Sequence, residues 1–229
     1  GMVGEFARVF TLPDDPDTPL RGSLSGYKGV AWADSIPLED VRTVGKALGC
    51  TINDVLMCTV AGALGSYLRD RGFDTTDLVL RANVPVNLRA ADEPLTLGNK
   101  FGLIFVDLPL GIRDPLKRLY AVHDTLKALK GSLQPPMTLM LLGLMGLLPQ
   151  AVQAGISILS YDRRVLFGVI SDRKLVRRPH EVVDRFVPEF EKLLLAATVG
   201  ALATRKSPNK SRQTPNSARR PTRSRRRKA

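Results

Sequence analysis

The stretch that begins at Thr51 places the strongest constraint on how this chain folds. Thr51 is a favourable helix N-cap, and Asp54, three positions later, can bond back to the cap while its charge suits the positive end of the helix. We therefore predict a long helix with Asn53 and Asp54 in its capped first turn and one apolar face that another layer must cover. The apolar positions at helical spacing are Ile52, Val55, Leu56, Val60, Ala63, Leu64 and Tyr67.

Other helices and strands are predicted from hydrophobic periodicity and from turn residues. The predicted strands cover residues 29–32, 78–88, 99–108, 156–161 and 165–170, the last two forming a hairpin around Asp162 and Arg163, and the predicted helices cover residues 37–48, 115–130, 137–148 and 179–198. Pro188 lies inside the last of these helices and is expected to kink it.

The predicted strand at residues 78–88 has one apolar and one polar face, because apolar and polar side chains alternate along it. Pro85 lacks a backbone donor, so it marks an edge strand or a break. The polar face either meets solvent or lines a groove against a partner domain. Its polar residues are Arg81, Asn83, Asn87 and Arg89.

The positive charge of the chain is concentrated at its C-terminus. The 229 residues carry 34 Lys and Arg and 22 Asp and Glu, and residues 205–229 hold eleven of the basic residues and none of the acidic ones. Residues 1–204 therefore have 23 basic and 22 acidic residues, and that part is nearly neutral. The length suits one ordinary domain with a real core, and the last residues lack the apolar pattern needed to order a chain.

Motifs for several catalytic and metal-binding classes are missing. Cys50 and Cys58 match no metal or redox spacing, so we predict no metal site and a reduced environment. There is no nucleophile elbow, phosphate-binding loop or dinucleotide fingerprint. Of the two histidines, His123 lies on an apolar helix stripe and is expected to be a satisfied boundary residue, and His180 opens a helix, so neither is predicted to be a catalytic base.

The sequence around the Asn-Asp pair resembles the bacterial wax ester synthase/diacylglycerol acyltransferase (WS/DGAT) family. The matching segments are Leu48-Gly49-Cys50-Thr51 before Asn53-Asp54, then 85–89 and 97–100, followed by Ser160-Tyr161 and Phe167-Gly168 with Asp172. The resemblance covers roughly residues 15–198 and corresponds to the C-terminal half of the family. It implies an α/β fold, namely the C-terminal domain of the two-domain CoA-dependent acyltransferases similar to chloramphenicol acetyltransferase.

The resemblance also implies a function, which is acyl transfer from acyl-CoA to diacylglycerol or a long-chain alcohol. In the family a histidine of a His-His-x-x-x-Asp-Gly motif is the general base, and this chain has no such motif. We therefore expect no catalytic residue here, inactivity in isolation, no cofactor beyond acyl-CoA as substrate, and an N-terminal half or full-length paralogue as partner. Asn53 and Asp54 would either orient the partner's histidine or, as we favour, hold the helix start that shapes the channel. Possible groove-lining residues are Arg81, Asn83, Asn87, Arg89 and Asn99.

The same resemblance indicates the domain organisation. Residues 1–28 are expected to be an incoming segment and interdomain crossover, 29–200 the acyltransferase domain, and 201–229 a disordered basic tail. Family members carry an Asn-Val-Pro-Gly-Pro-like segment between the Leu-rich helix and the Ser-Tyr strand. Here Leu147 to Gln153 runs almost directly into Ile156, so some tens of residues are missing and the domain is expected to be incomplete.

Two alternatives to a half-enzyme remain open on the sequence. One is a non-catalytic remnant. The other is a surface-binding role for the basic tail. Anionic lipid is the preferred ligand over nucleic acid, because no aromatic residue lies among the basic ones to stack on bases. The tail could equally serve only to keep the protein soluble. With no secretory signal recognised and an apolar run at 137–148 too short to span a bilayer, we expect a cytoplasmic protein, peripheral at the inner membrane or at lipid inclusions.

Overall fold

A computed structural model describes residues 16–87, 101–130 and 154–206 of the chain. Within these ranges the structure combines helices and antiparallel strands, as the sequence predicts. The strands are β1 (Lys28–Trp32), β2 (Ile36–Pro37), β3 (Val79–Asn87), β4 (Phe101–Pro109), β5 (Ala154–Tyr161) and β6 (Arg164–Asp172). The helices are α1 (Leu38–Leu48), α2 (Ile52–Asp70), α3 (Pro115–Lys130), α4 (His180–Val183) and α5 (Phe186–Lys206).

Strand β6 is the centre of the larger sheet. β1 and β2 pair with one edge of β6, one after the other, and β5 pairs with its other edge, all antiparallel. The β5–β6 connection is the predicted hairpin: Tyr161 pairs with Arg164, and both loop residues, Asp162 and Arg163, have positive φ angles of 43° and 58°. Two loop residues in this conformation match the twist of the flanking strands.

Strands β3 and β4 form a separate two-stranded sheet among the described residues. They pair antiparallel from Val79 with Pro109 to Asn87 with Phe101. Pro85 sits opposite Leu103, and its missing donor is tolerated because β3 is an edge strand in the described part of the sheet. The predicted strand is confirmed, and so is the prediction that Pro85 lies in an edge strand, within the described part of the sheet.

Helix α2 lies at the centre of the helical layer and packs against α1, α3, α4 and α5. Its buried residues run around the whole helix rather than along one face, from Asp54 to Leu68. The prediction of a single apolar face was therefore too narrow, because several elements surround this helix. Two glycines permit the close approach: a Cβ on Gly65 would lie 2.6 Å from the Leu110 carbonyl oxygen, and one on Gly62 would overlap the side chains of Arg118 and Glu189.

A buried ion pair joins three of these helices, and the sequence analysis missed it. The Arg118 side chain is 1% exposed, and its guanidinium donates to the Glu189 carboxylate at 2.6 Å, to the Cys58 carbonyl at 3.2 Å and to the Ile112 carbonyl at 3.0 Å. Such a pair offsets its desolvation only when its remaining polar groups are bonded as well. Here Arg118 also donates to the Arg113 carbonyl at 3.3 Å, and Lys192 donates to the other carboxylate oxygen of Glu189 at 2.5 Å.

The C-terminal helix differs from its prediction. Instead of one helix kinked at Pro188, the structure has α4 and α5, with a break at Asp184 and Arg185. Pro188 lies in the first turn of α5, where a missing N–H costs no helical hydrogen bond. Helix α5 also continues to Lys206, so the first residues that the sequence analysis assigned to the tail at 201–229 are helical. The predicted helix at 137–148 and the rest of the tail lie outside the described residues.

In the described ranges no single helix has both the length and the apolar character needed to cross a bilayer. Helices α1 and α2 meet that test of length and composition only when taken together, and they are bent by 101° at their junction.

Candidate functional site at the start of helix α2

The N-terminus of α2 is fixed by a reciprocal pair of hydrogen bonds. The Thr51 hydroxyl accepts from the Asp54 backbone N–H at 3.2 Å, and the Asp54 carboxylate accepts from the Thr51 N–H at 2.7 Å. This capping box satisfies donors that a helix start otherwise leaves unpaired. The capped helix start predicted at Thr51 is confirmed.

The Asp54 carboxylate also contacts His123 of α3. His123 Nδ1 lies 2.8 Å from Asp54 Oδ2, the same oxygen that accepts from Thr51. Burial by itself would raise the pKa of Asp54, but the hydrogen bonds with His123 and Thr51 outweigh it and lower that pKa below its usual value. Because an ionised carboxylate can only accept, His123 Nδ1 carries the proton in this bond. His123 is thus a satisfied boundary histidine, with its side chain 26% exposed.

Cys50 completes this cluster from the loop between α1 and α2. Its Sγ, an oxygen of Asp54 and a ring nitrogen of His123 all lie within 4.8 Å of one another. Burial, with the nearby carboxylates of Asp54 and Asp124, raises the pKa of Cys50, so the thiol stays protonated near neutral pH. The second cysteine, Cys58, faces the core, and burial raises its pKa to about 11.

The two residues of the Asn-Asp motif differ in their exposure to solvent, because neighbouring residues point in different directions from a helix. Asp54 is 1% exposed and Asn53 lies on the surface of the first turn. Only Asp54 takes part in the capping box. His180 is also exposed, at the first residue of α4, where the sequence analysis expected it to open a helix.

The residues predicted to line a groove are only partly described. Arg81 and Asn83 occupy alternate positions of β3 and so share one face of the two-stranded sheet, and Asn87 pairs with Phe101 at the end of the same strand. Across the pair formed with β4, Arg81 Nε lies 3.6 Å from Asp107 Oδ1. Arg89 and Asn99 lie outside the described residues, and a groove at this face stays a prediction.

The residues just before β1 are anchored to the end of β6 by Asp172, a contact that no local sequence pattern indicates. Its buried carboxylate accepts from the Ser25 hydroxyl at 2.7 Å and from the backbone N–H groups of Ser25, Gly26 and Lys174 at 2.9–3.1 Å. Burial would raise the pKa of Asp172, but these bonds overcome it and hold the pKa well below the ordinary value. The chain just before β1 is therefore fixed against the end of β6.

Comparison with known proteins places this fold. The family model described as the WS/DGAT C-terminal domain matches residues 97–156 and 150–194. The chain carries a WS/DGAT C-terminal domain. The match to the family model is split at residues 150–156, where the sequence analysis expects a segment to be missing.

Mycobacterial relatives are similar to a larger part of the chain than the family model matches. A protein of Mycobacterium tuberculosis, provisionally named a diacylglycerol O-acyltransferase, is 39% identical over 115 residues, which are 50% of this chain and 24% of that protein. A similarly named protein of Mycobacterium bovis is 32% identical over 179 residues, covering 78% of this chain and 36% of its own length. The chain thus spans about a quarter to a third of the length of these relatives.

Solved structures confirm the fold. The wax ester synthase/diacylglycerol acyltransferase of Marinobacter aquaeolei VT8 superposes with a TM-score of 0.61 at 20% identity, over 80% of this chain and 53% of that one. The epimerization domain from the third module of tyrocidine synthetase B gives 0.59 at 12% identity, over 87% of this chain and 56% of that one. The predicted CoA-dependent acyltransferase-like α/β fold is confirmed.

The sequence indicates only part of the cluster formed by Cys50, Asp54 and His123. The four-residue spacing of Cys50 and Asp54 is local, but His123 joins them from a helix about seventy residues later. No motif signals that contact, because it depends on how α3 packs against α2.

Proposed function

We propose that this chain forms the C-terminal wall of an O-acyltransferase that esterifies diacylglycerol or long-chain alcohols with acyl-CoA, while an N-terminal half supplies the catalytic histidine. The WS/DGAT C-terminal domain and the names of the mycobacterial relatives support the reaction class. The requirement for a partner is supported by the missing His-His-x-x-x-Asp-Gly motif. A hydroxyl needs a positioned base to lose its proton as it attacks the thioester.

The observation that carries this proposal is an apolar face of the larger sheet that none of the described residues covers. Strand pairing places five large exposed side chains on the same face, since Val30 is opposite Ile170 and Leu159 is opposite Leu166, with alternate positions between them. Exposed apolar area of this kind marks an interaction surface in a soluble protein. The five residues, which we call the open sheet face, are Val30, Trp32, Leu159, Tyr161 and Ile170.

Within this proposal, Asp54 stabilises the helix start rather than orienting a histidine of the partner. Its Oδ2 already accepts from Thr51 and from His123, and the residue is buried. A carboxylate engaged in this way holds the geometry of the α1–α2 junction. The exposed Asn53, one residue earlier, is the motif residue that a partner domain can reach.

Reconstitution tests the proposal. The 229-residue chain, a separately produced N-terminal half of a mycobacterial relative and a mixture of the two are assayed for ester formation from acyl-CoA with diacylglycerol or a long-chain alcohol. We expect ester only in the mixture, and none when the motif histidines of the N-terminal half are replaced by alanine. Ester formation by the 229-residue chain alone would overturn the proposal, and an inactive mixture would favour the non-catalytic remnant.

The His123–Asp54 pair favours a second candidate function, in which His123 is itself the general base. A buried carboxylate on Nδ1 is how many enzymes orient a catalytic imidazole. The substitution His123→Gln separates the two candidates in the active mixture. A structural role predicts retained activity, whereas a base predicts a rate lower by about 10²–10⁴-fold with the folded state unchanged.

A lipid surface is the partner we propose for the basic tail. Leu195 and Val199 are exposed on successive turns of α5, just before the eleven basic residues at 205–229. An apolar helix face next to clustered cations suits an anionic bilayer. We expect the chain to sediment with vesicles containing anionic lipid and not with neutral ones, and to lose this binding when residues 207–229 are removed, a cut that leaves α5 whole. Unchanged sedimentation after the truncation would contradict the proposal.

A further inference from the structure

Three different metal-ligand atoms meet beside the start of α2. Cys50 Sγ, a carboxylate oxygen of Asp54 and a ring nitrogen of His123 lie within 4.8 Å of one another, and Asp54 is buried while the other two are half-buried. Thiolate, imidazole and carboxylate are the ligands that Zn²⁺ takes in proteins. The sequence by itself indicates no metal site here, because the spacing of Cys50 and Cys58 matches no metal motif.

We propose that Cys50, Asp54 and His123 form a binding site for Zn²⁺, with water as the fourth ligand. The decisive geometry is the His123 Nδ1 to Asp54 Oδ2 distance of 2.8 Å. Two ligands about 2.1 Å from a tetrahedral Zn²⁺ lie about 3.4 Å apart. The metal ion can therefore replace the hydrogen that joins these two atoms if the side chains separate by about 0.6 Å.

Cys50 can reach the same ion with a small movement. With a Zn–S bond of about 2.3 Å, the sulfur would lie about 3.6 Å from the other two ligand atoms. It is already within 4.8 Å of both. Cys50 follows Gly49 in the short loop between α1 and α2, and its thiol bonds only weakly, at 3.5 Å, to the Leu48 carbonyl oxygen. Only this weak hydrogen bond is lost when the Cys50 side chain rotates toward Asp54 and His123.

The charge around the site favours a cation. The carboxylates of Asp54 and Asp124 both act electrostatically on the Cys50 sulfur. When Zn²⁺ binds, the thiol releases its proton to solvent, and the imidazole proton moves from Nδ1 to Nε2 so that Nδ1 can coordinate. The capping bond from the Thr51 N–H to Asp54 can remain, so metal binding would fasten the loop before α2 to helix α3.

The composition of the chain makes this proposal easy to test, because it contains only two cysteines and two histidines. The reduced, metal-free 229-residue chain is titrated with Zn²⁺ by calorimetry and with Co²⁺ by absorption spectroscopy. We expect one saturable site, a thiolate-to-Co²⁺ charge-transfer band, and affinity for Zn²⁺ lower by at least about tenfold in Cys50→Ser and in His123→Gln. The matched controls Cys58→Ala and His180→Gln should bind like the parent chain.

Circular dichroism of the metal-free proteins shows whether each variant is folded, and the rise in melting temperature with Zn²⁺ gives a second readout by mass action. The parent chain and both controls should gain thermal stability with Zn²⁺, and folded Cys50→Ser and His123→Gln should not. Lack of saturable binding by the parent chain, or binding that His180→Gln weakens as much as His123→Gln does, would overturn the proposal. Neither readout depends on ester formation, so this result stands apart from the proposed acyl transfer.

Discussion

The helical layer around α2 and the sheet formed by β1, β5 and β6 differ in how completely they are covered. Residues on all sides of α2 are buried, and even a charged pair, Arg118 with Glu189, is enclosed there. On the sheet, one face packs on the helices through residues such as Phe167 and Val169, while the opposite, open sheet face exposes Trp32 by 60% and Ile170 by 44%. In the part of the chain that the structure describes, the domain therefore has a closed core on one side of this sheet and an apolar surface on the other.

The largest loss of stability is expected when the buried ion pair between Arg118 and Glu189 is broken. Arg118→Ala removes the buried partner of Glu189, whose carboxylate then keeps only the ion pair with the exposed Lys192. We therefore expect the free energy of unfolding to fall by about 3 kcal/mol, the lower end of the cost of breaking a buried pair. Urea unfolding followed by circular dichroism measures this. Arg185→Ala is the matched control, because it removes a more exposed ion pair with Asp70 and should cost at most about 1 kcal/mol. Equal losses in the two variants would contradict the difference between core and surface.

A smaller effect is expected from overfilling the same region. Gly62→Ala places a Cβ against the side chains of Arg118 and Glu189, and overpacking of this kind costs about 1–3 kcal/mol. Gly200→Ala in α5 is the control, since the added Cβ would meet no described atom within 4 Å apart from the helix's own backbone, and alanine there should stabilise by about 0.5–1 kcal/mol. Thermal unfolding of both proteins should show opposite signs, and a stabilised Gly62→Ala would count against close packing.

Loss of the N-terminal cap of α2 should lower the free energy of unfolding by less than the substitution at Gly62. Thr51→Ala removes the hydroxyl that accepts from the Asp54 N–H, so we expect a loss of about 1 kcal/mol in unfolding free energy. Thr51→Ser retains an accepting hydroxyl and is expected to stay close to the parent chain. If Thr51→Ser loses as much stability as Thr51→Ala, the threonine methyl group rather than the capping bond is responsible.

The smallest effect on stability is expected on the open sheet face. Ile170→Thr should change the free energy of unfolding by no more than about 0.5 kcal/mol, because the side chain is partly in solvent, while weakening association with the N-terminal half. Val169→Thr, on the covered face of the same strand, should instead destabilise the chain measurably. A large loss of stability in Ile170→Thr would mean that the chain itself covers this face.

Local patterns predicted most of the described elements. The hairpin at Asp162 and Arg163, the α2 cap at Thr51 and the strand through Pro85 are all set by neighbours a few residues apart, where turn and capping chemistry operate. The break between α4 and α5 was missed, because the apolar spacing continues across Asp184 and Arg185 while the backbone turns there to pack.

The sequence by itself determined where α2 begins, which family the chain resembles and which catalytic motif it lacks, since each depends on residues adjacent along the chain. Only the tertiary structure decided that His123 meets Asp54 and Cys50, that Arg118 is buried against Glu189, and that the open sheet face carries large apolar side chains. These contacts join segments tens of residues apart. They arise from the packing of whole helices and strands, which no local pattern encodes.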